Sequence, residues 1–217
     1  MKKGLDPTKD QSYVLYAMTQ DQLAHTLFPL GGYTKKEIRH IAQEQGFINA
    51  DKPDSQDICF VPDGDYATFI EEHTGATFVP GPIVDEAGTV LGKHNGLVHY
   101  TIGQRKGLGV AAGHPLFVLK KDAKTNTLVV GPATSAGVHE VVANDVNLIS
   151  VAEIAEPLTV EAKVNYRATP RKAVVRMKGE KLIVTFEEPV RAVAPGQAMV
   201  LYQGDVVVGG GTIESTR

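Results

Sequence analysis

The chain has very little cysteine and no tryptophan: Cys59 is its one thiol among 217 residues. A single cysteine excludes a disulfide within the chain and a zinc site built on paired cysteines. Such sparing use of cysteine is typical of a cytosolic protein, which is the location we predict. No apolar run approaches the roughly 18 residues that a membrane span needs, and the N-terminus lacks the apolar stretch of a secretory signal.

What is present is the composition of a folded protein of one or two domains, with 42% hydrophobic and 22% charged residues. The net charge is −3, but the charge is uneven. Residues 93–121 contain five basic and no acidic side chains, and residues 161–181 contain seven basic and two acidic ones. The two basic blocks predict either an anion-binding face or an ordinary solvated surface.

The pattern of the chain changes near residue 75. Helical spacing runs over residues 12–27, a capping box at Thr34 and Glu37 opens a second helix that Gly46 ends, and a third helix is predicted over 66–72. Three helices without a partner sheet make a poor core. We therefore expect residues 1–75 to be the tail of a larger domain.

From residue 77 onward, short apolar segments alternate with turn residues, which predicts strands. The first set is expected at residues 83–84, 89–91, 97–101, 116–121 and 127–130, with a hairpin loop at 122–126. A less regular stretch around 137–144 separates it from a second set at 158–164, 173–177, 181–186, 198–202 and 206–213. The spacing of the second set predicts a small barrel.

Two segments have residue types that carry chemistry. Cys59 follows the polar turn Asp54-Ser-Gln-Asp-Ile and begins an apolar run, 58–61, expected to be a short strand. From spacing alone it is either a reactive thiol or a packed core residue. The second segment is a glycine-rich basic loop, Tyr100-Thr-Ile-Gly-Gln-Arg-Lys-Gly-Leu-Gly109, whose residues do not follow the sequence pattern of a P-loop. Its amides, Arg105 and Lys106 either hold a phosphate or form the exposed tip of a tight β connection.

These segments also carry a resemblance to a known family. Six motifs occur in an order that resembles that of the tRNA-specific 2-thiouridylases. They are Lys9-Asp-Gln-Ser12, Phe28-Pro-Leu-Gly31, Asp54-Ser-Gln-Asp-Ile-Cys-Phe60, the loop 100–109, Pro195-Gly-Gln197 and Gly209-Gly-Gly211. The resemblance implies an α+β chain: the helical tail of an α/β PP-loop domain (1–75), a small central β domain (76–142) and a C-terminal β-barrel (143–217).

The resemblance implies an activity and a set of site residues. Family members use Mg-dependent ATP chemistry to adenylate the O2 of a wobble uridine in tRNA, and a cysteine persulfide loaded by a sulfur-carrier protein then displaces AMP. By motif match, Cys59 carries the persulfide, and tRNA binds at Lys9, Asp10, Gln11, Tyr166 and Gln197. Asn165 stands where the family usually has arginine, and Arg167, with its basic neighbours, is expected to compensate. Arg105 and Lys106 complete the predicted tRNA-binding set.

The departures from the family pattern are as informative as the matches. The phosphate-binding signature Ser-Gly-Gly-x-Asp-Ser and a second catalytic cysteine do not occur in this sequence. We therefore expect the ATP site to belong to a missing N-terminal half, the chain alone to be inactive, and no metal to bind to it. A rival interpretation is a non-catalytic RNA-binding β-barrel module with a structural cysteine. An independent thiol hydrolase is less favoured, because no histidine lies within ten residues of Cys59.

Overall fold

The fold has few helices and many strands. The computed structural model describes residues 1–54, 61 and 65–217. Contacts between residues divide the chain into two compact units. Unit 1 combines Met1–Lys52 with Val138–Arg217, and unit 2 is Pro53–Gly137. These units are groups of residues in contact, and they place the N-terminal segment with the C-terminal strands. They do not test the predicted domain boundaries at residues 75/76 and 142/143, which stay a prediction.

Unit 2 is built on a four-stranded sheet preceded by a helix. Helix α4 (Tyr66–Thr74) begins at Asp65, whose carboxylate accepts a hydrogen bond from the Thr68 N–H at 3.1 Å. The strands are β1 (Gly81–Val84), β2 (Val90–His94), β3 (Phe117–Asp122) and β4 (Thr127–Gly131), in the order β2-β1-β4-β3. β1 and β4 are parallel, and the other pairs are antiparallel. Seven buried side chains of this unit form a core cluster: Ile83, Tyr100, Leu108, Leu116, Val118, Leu128 and Val130.

Unit 1 contains a closed six-stranded barrel. Its strands are β5 (Val138–Leu148), β6 (Leu158–Lys163), β7 (Arg171–Lys178), β8 (Lys181–Val190), β9 (Ala198–Gln203) and β10 (Val206–Thr216). They close in the order β10-β5-β8-β7-β6-β9, which leaves no open sheet edge. Fully buried Val175, Val184 and Leu201 are among the side chains that fill the barrel core.

The glycine run 209–211 is explained by close strand contact in the barrel. A Cβ on Gly209 would meet the Asn147 carbonyl, one on Gly210 the Met199 carbonyl, and one on Gly211 the Asn144 carbonyl. β10 therefore approaches β5 and β9 too closely for any side chain at these three positions.

The N-terminal segment packs on the outside of this barrel. Lys2 forms an antiparallel bridge with Val206. The helices of the segment are α1 (Ser12–Leu15), α2 (Gln20–Ala24) and α3 (Lys35–Glu44). Tyr13 of α1 is 6% exposed and packs with Val200, Tyr202 and other outward-facing side chains of β9 and β10. The segment is thus attached to the barrel through β9 and β10.

The predicted fold class, α+β with a C-terminal β-barrel, is confirmed. The capping box at Thr34 and Glu37 and the start of the third helix are also confirmed. The continuous helix over 12–27 was wrong: α1 and α2 are separate, because Thr19 is extended, with ψ at 165°, and starts a new helix through a capping box with Gln22. Asn147 Nδ2 donates to the carbonyls of Tyr16 at 2.6 Å and Met18 at 2.9 Å and so holds the linker between the two helices.

Two strand predictions were also wrong. Residues 97–99 form a 3-10 helix, Leu97–His99, rather than a strand, since the His99 N–H donates to the Gly96 carbonyl. The stretch 137–144 is regular, because β5 pairs with both β8 and β10. The predicted strand at 58–61 lies largely outside the described residues. Within the described part of the chain, no helix is long and apolar enough to cross a membrane.

Candidate nucleic-acid interface

A group of polar and aromatic side chains meets where the N-terminal segment lies against the barrel. We call Gln11, Tyr13, Lys163 and Tyr166 the Tyr166 cluster. Gln11 Nε2 donates to the Tyr166 hydroxyl at 3.2 Å, across 155 residues of sequence. The Tyr13 and Tyr166 rings are 5.9 Å apart in an edge-to-face arrangement, which is favourable for aromatic pairs.

Lys163, at the end of β6, joins the two rings. Its ammonium lies 5.3 Å from the ring centroid of Tyr13 and 5.8 Å from that of Tyr166. Both distances are within the roughly 6 Å range of a cation–π contact. Burial lowers the pKa of Lys163, the charge of Asp10 opposes that shift, and Lys3 adds to it. The positive charge of Lys163 is therefore directed at the rings and is not fully solvated.

Tyr13 anchors the cluster to the protein interior. Its hydroxyl donates to the Ala198 carbonyl at 2.6 Å. Burial, with smaller effects of Tyr16 and Tyr202, raises the pKa of Tyr13 to about 12. In contrast, Tyr166 is 46% exposed. One ring is thus fixed inside the protein, and it supports a second ring that is open to solvent.

The neighbouring predicted residues have different local roles. The carboxylate of Asp10 accepts hydrogen bonds from the Gly4 N–H at 2.9 Å, the Ser12 N–H at 3.0 Å and the Ser12 hydroxyl at 2.7 Å. It therefore shapes the turn that presents the exposed Lys9 and Gln11. Asn165 accepts from the Arg167 N–H at 3.1 Å and so shapes the turn that presents Tyr166.

Gln197 is connected to the cluster through its neighbour in the chain. It is exposed, and it directly precedes Ala198, whose carbonyl binds Tyr13. The Gln197 carbonyl accepts from the Ile213 N–H at 2.8 Å, which ties the turn to β10. Unit 1 contains seven of the predicted tRNA-binding residues: Lys9, Asp10, Gln11, Asn165, Tyr166, Arg167 and Gln197.

The second basic block is less available than its sequence indicates. Arg171 lies 3.7 Å from Glu188, Arg176 3.6 Å from Glu140, and Lys181 2.7 Å from Glu214, and all three acidic residues lie outside the block. Lys163 faces the two tyrosines. The charge count over 161–181 therefore overstates the positive charge available to a ligand, and the exposed Arg167 becomes the most prominent cation beside Tyr166.

The other predicted residues are elsewhere in the chain. Arg105 and Lys106 are exposed and belong to unit 2. Cys59, the predicted persulfide carrier, lies outside the described residues. Among the residues that the structure describes, no group of three or more His, Cys, Asp or Glu side chains could hold a metal ion.

Sequence reasoning missed Tyr13 and Lys163 as members of the site. Lys163 belongs to the second basic block, and Tyr13 directly follows the Lys9–Ser12 motif. Each therefore lies in or beside a sequence feature that was already assigned to ligand binding. Their meeting depends on the N-terminal segment lying against β6 and β9, which no local pattern encodes.

The class of protein follows from three family descriptions that match consecutive parts of the chain. "tRNA methyl transferase HUP domain" matches residues 1–63, "tRNA methyl transferase PRC-barrel domain" matches 67–132, and "Aminomethyltransferase beta-barrel domain" matches 138–213. The chain is therefore a HUP segment followed by two β domains of a tRNA-modifying family.

Its relatives narrow that class. Proteins named tRNA-specific 2-thiouridylase MnmA are similar to it: 52% identity in Heliobacterium modesticaldum, over 97% of this chain and 56% of the relative. The protein from Lachnoclostridium phytofermentans is 49% identical, over 98% of this chain and 60% of the relative. That from Clostridioides difficile is 47% identical, over 100% and 60%. The chain belongs to the tRNA-specific 2-thiouridylase family, as its motifs predicted, and spans 56% to 60% of the length of these relatives.

Proposed function

We propose that this chain is the tRNA-binding and sulfur-accepting part of a tRNA 2-thiouridylase. The observation that carries the proposal is the contact between Gln11 and Tyr166, 3.2 Å apart and 155 residues apart in sequence. It joins two motifs that the family resemblance assigns independently to tRNA binding. An exposed aromatic ring beside cations suits an unpaired nucleotide, because every base offers a face for stacking.

The proposed reaction takes place in the complete enzyme. There, Mg-dependent ATP chemistry adenylates the O2 of the wobble uridine, since an amide-like oxygen is otherwise a poor leaving group. The outer sulfur of a persulfide on Cys59 attacks C2, the C2–O2 bond breaks, and AMP leaves with the oxygen. A second cysteine thiolate then attacks the Cys59 sulfur, which releases 2-thiouridine and leaves a disulfide. A reductant of the thiol class restores both thiols.

The 217 residues lack a PP-loop signature and a second cysteine. We infer that alone they bind tRNA and accept sulfur but do not thiolate tRNA. The partners we propose are tRNA, a persulfide-donating carrier protein and an N-terminal ATP-binding half, all in the cytosol. In the attack on C2, the nucleophile is the persulfide and not the thiol of Cys59, and a persulfide is the stronger nucleophile at neutral pH.

Binding of tRNA by the 217-residue chain tests the first part of the proposal. Tyr166→Ala should raise the Kd for a tRNA transcript about tenfold, since one aromatic–base stack contributes roughly 1–3 kcal/mol. Tyr33→Ala is the matched control, because Tyr33 has the same 46% exposure in the same unit. Equal effects of the two substitutions would contradict the proposal.

Sulfur loading tests the second part. After treatment with a persulfide donor, the intact mass of the chain should rise by one sulfur atom, and Cys59→Ser should abolish the gain. A chain that binds tRNA through Tyr166 but never gains sulfur would be the RNA-binding module with a structural cysteine. That result would contradict the sulfur-accepting role and leave the tRNA-binding role intact.

A further inference from the structure

The glycine-rich loop of unit 2, whose Arg105 and Lys106 belong to the predicted tRNA-binding set, borders a cavity. The cavity measures about 240 Å³ and opens to solvent. We call it the Arg105 cavity. Its lining residues are Arg105, Gly107, Leu108, Gly109, Val110, His114, Pro115 and Leu116. Both sides of the loop therefore contribute to it, including His114, which lies outside the sequence motif.

The loop is braced from within. The Thr101 N–H donates to Gln104 Oε1 at 2.9 Å, and Gln104 Nε2 donates to the Lys106 carbonyl at 2.9 Å. The Val118 N–H donates to the Gln104 carbonyl at 2.9 Å, which ties the turn to β3. A single side chain thus holds the turn closed on both sides of Arg105, so the cavity wall is preformed.

The backbone of the loop is adapted to a close ligand. Gly107 and Gly109 have φ values of +74° and +69°, which side-chain-bearing residues rarely adopt. Both line the cavity, and because glycine has no side chain, a ligand can approach the backbone closely at these positions. Leu108 and Leu116 also line it and belong to the core of unit 2, which anchors the wall.

The charge at the Arg105 cavity is of one sign. Arg105 brings a guanidinium group, and His114 brings ring nitrogens. Among the described residues, no carboxylate lines the cavity, and residues 93–121 contain no acidic side chain at all. An arginine with several fixed N–H donors suits a phosphate or a carboxylate, and a glycine-rich turn adds backbone donors.

The size of the cavity limits the ligand. Its volume is below the roughly 300–1,000 Å³ of pockets that enclose drug-sized molecules. One phosphate group fits within this volume beside Arg105, with the rest of a larger ligand outside the open cavity. We propose that the Arg105 cavity binds a single phosphate group, supplied either by the tRNA backbone or by a free phosphate compound such as pyrophosphate.

The test follows the cavity residues directly by NMR. Pyrophosphate, or in a second arm a tRNA transcript, is added to the labelled 217-residue chain. The signals of the Arg105 side chain and of the Gly107 and Gly109 amides are expected to shift and saturate. Saturation with pyrophosphate identifies a free phosphate as the source, and saturation with tRNA alone identifies the tRNA backbone. Unchanged signals in both arms would overturn the proposal.

A matched pair of variants distinguishes a specific phosphate site from non-specific electrostatic attraction. Arg105→Gln should weaken the binding about tenfold, because it removes a charge-assisted hydrogen bond. Lys93→Gln removes the same charge from an exposed position of the same acid-free segment, outside the cavity, and should change Kd by no more than about twofold. Equal losses in the two variants would overturn the site. This outcome is distinguishable from failure of the proposed function, which depends on Tyr166 in unit 1.

Discussion

Lys163 should support tRNA binding without contacting a phosphate. The perturbation is Lys163→Met, which keeps an unbranched apolar stem and removes the ammonium from the faces of Tyr13 and Tyr166. If the charge serves the rings, Tyr166 loses its support and the affinity for tRNA falls. The number of phosphate contacts then stays the same.

The magnitude follows from the two ring contacts, at 5.3 and 5.8 Å. A cation–π contact contributes about 0.5–1 kcal/mol at exposed sites and more when it is desolvated. Only the contact to Tyr166 bears directly on the ligand, so the cost in binding is about 1 kcal/mol. That corresponds to roughly a fivefold rise in Kd.

The assay is tRNA binding over a series of salt concentrations. A lysine or arginine that contacts a phosphate contributes about one unit to the slope of log K against log salt. Lys163→Met should therefore leave the slope unchanged, whereas Arg167→Gln, at the neighbouring exposed cation, should reduce it by about one. A slope that falls by one in Lys163→Met would refute the reasoning, because it would mean that the ammonium reaches a phosphate.

Two further predictions concern stability. Gly210→Ala should lower the free energy of unfolding by about 1–3 kcal/mol, since the new Cβ would meet the Met199 carbonyl and the Tyr16 ring. Gly32→Ala, with no atom within 4 Å of its Cβ, should be nearly neutral, and urea denaturation that shows equal effects would contradict this account of the glycine run. Stability should also fall as the pH rises from 10 to about 12, because burial raises the Tyr13 pKa from 10.0 to about 12 and the folded state keeps a proton that the unfolded state loses. Urea denaturation across that window should show a shallower fall in Tyr13→Phe, and an equal fall would contradict the assignment.

Local signals predicted the elements that local interactions decide. The helix that begins after Thr34 was predictable because both halves of its capping box lie within four residues. The closed barrel was predictable from the spacing of its strands. The break between α1 and α2 also has a local signal, the Thr19–Gln22 capping box, which the helical spacing of the apolar residues hid. No local pattern indicates that Asn147, about 130 residues away in sequence, donates to the Tyr16 and Met18 carbonyls in the linker.

The candidate site was predictable in its parts and not in its assembly. Motif resemblance named Gln11 and Tyr166, but their hydrogen bond depends on the attachment of Tyr13 to the barrel. Charge counting treated Arg171 and Lys163 alike, although one pairs with Glu188 and the other faces two rings. Spatial neighbours decide what a charge does, and these neighbours come from distant strands.

Photo-cross-linking of tRNA to the chain tests the central claim most directly. After irradiation and digestion, mass spectrometry identifies the peptides that carry nucleotide adducts. The account predicts adducts on the peptide that contains Tyr166, and their loss in Gln11→Ala, which removes the hydrogen bond that orients the ring. Adducts confined to other exposed aromatic residues, such as Tyr33, would contradict a tRNA interface at the Tyr166 cluster.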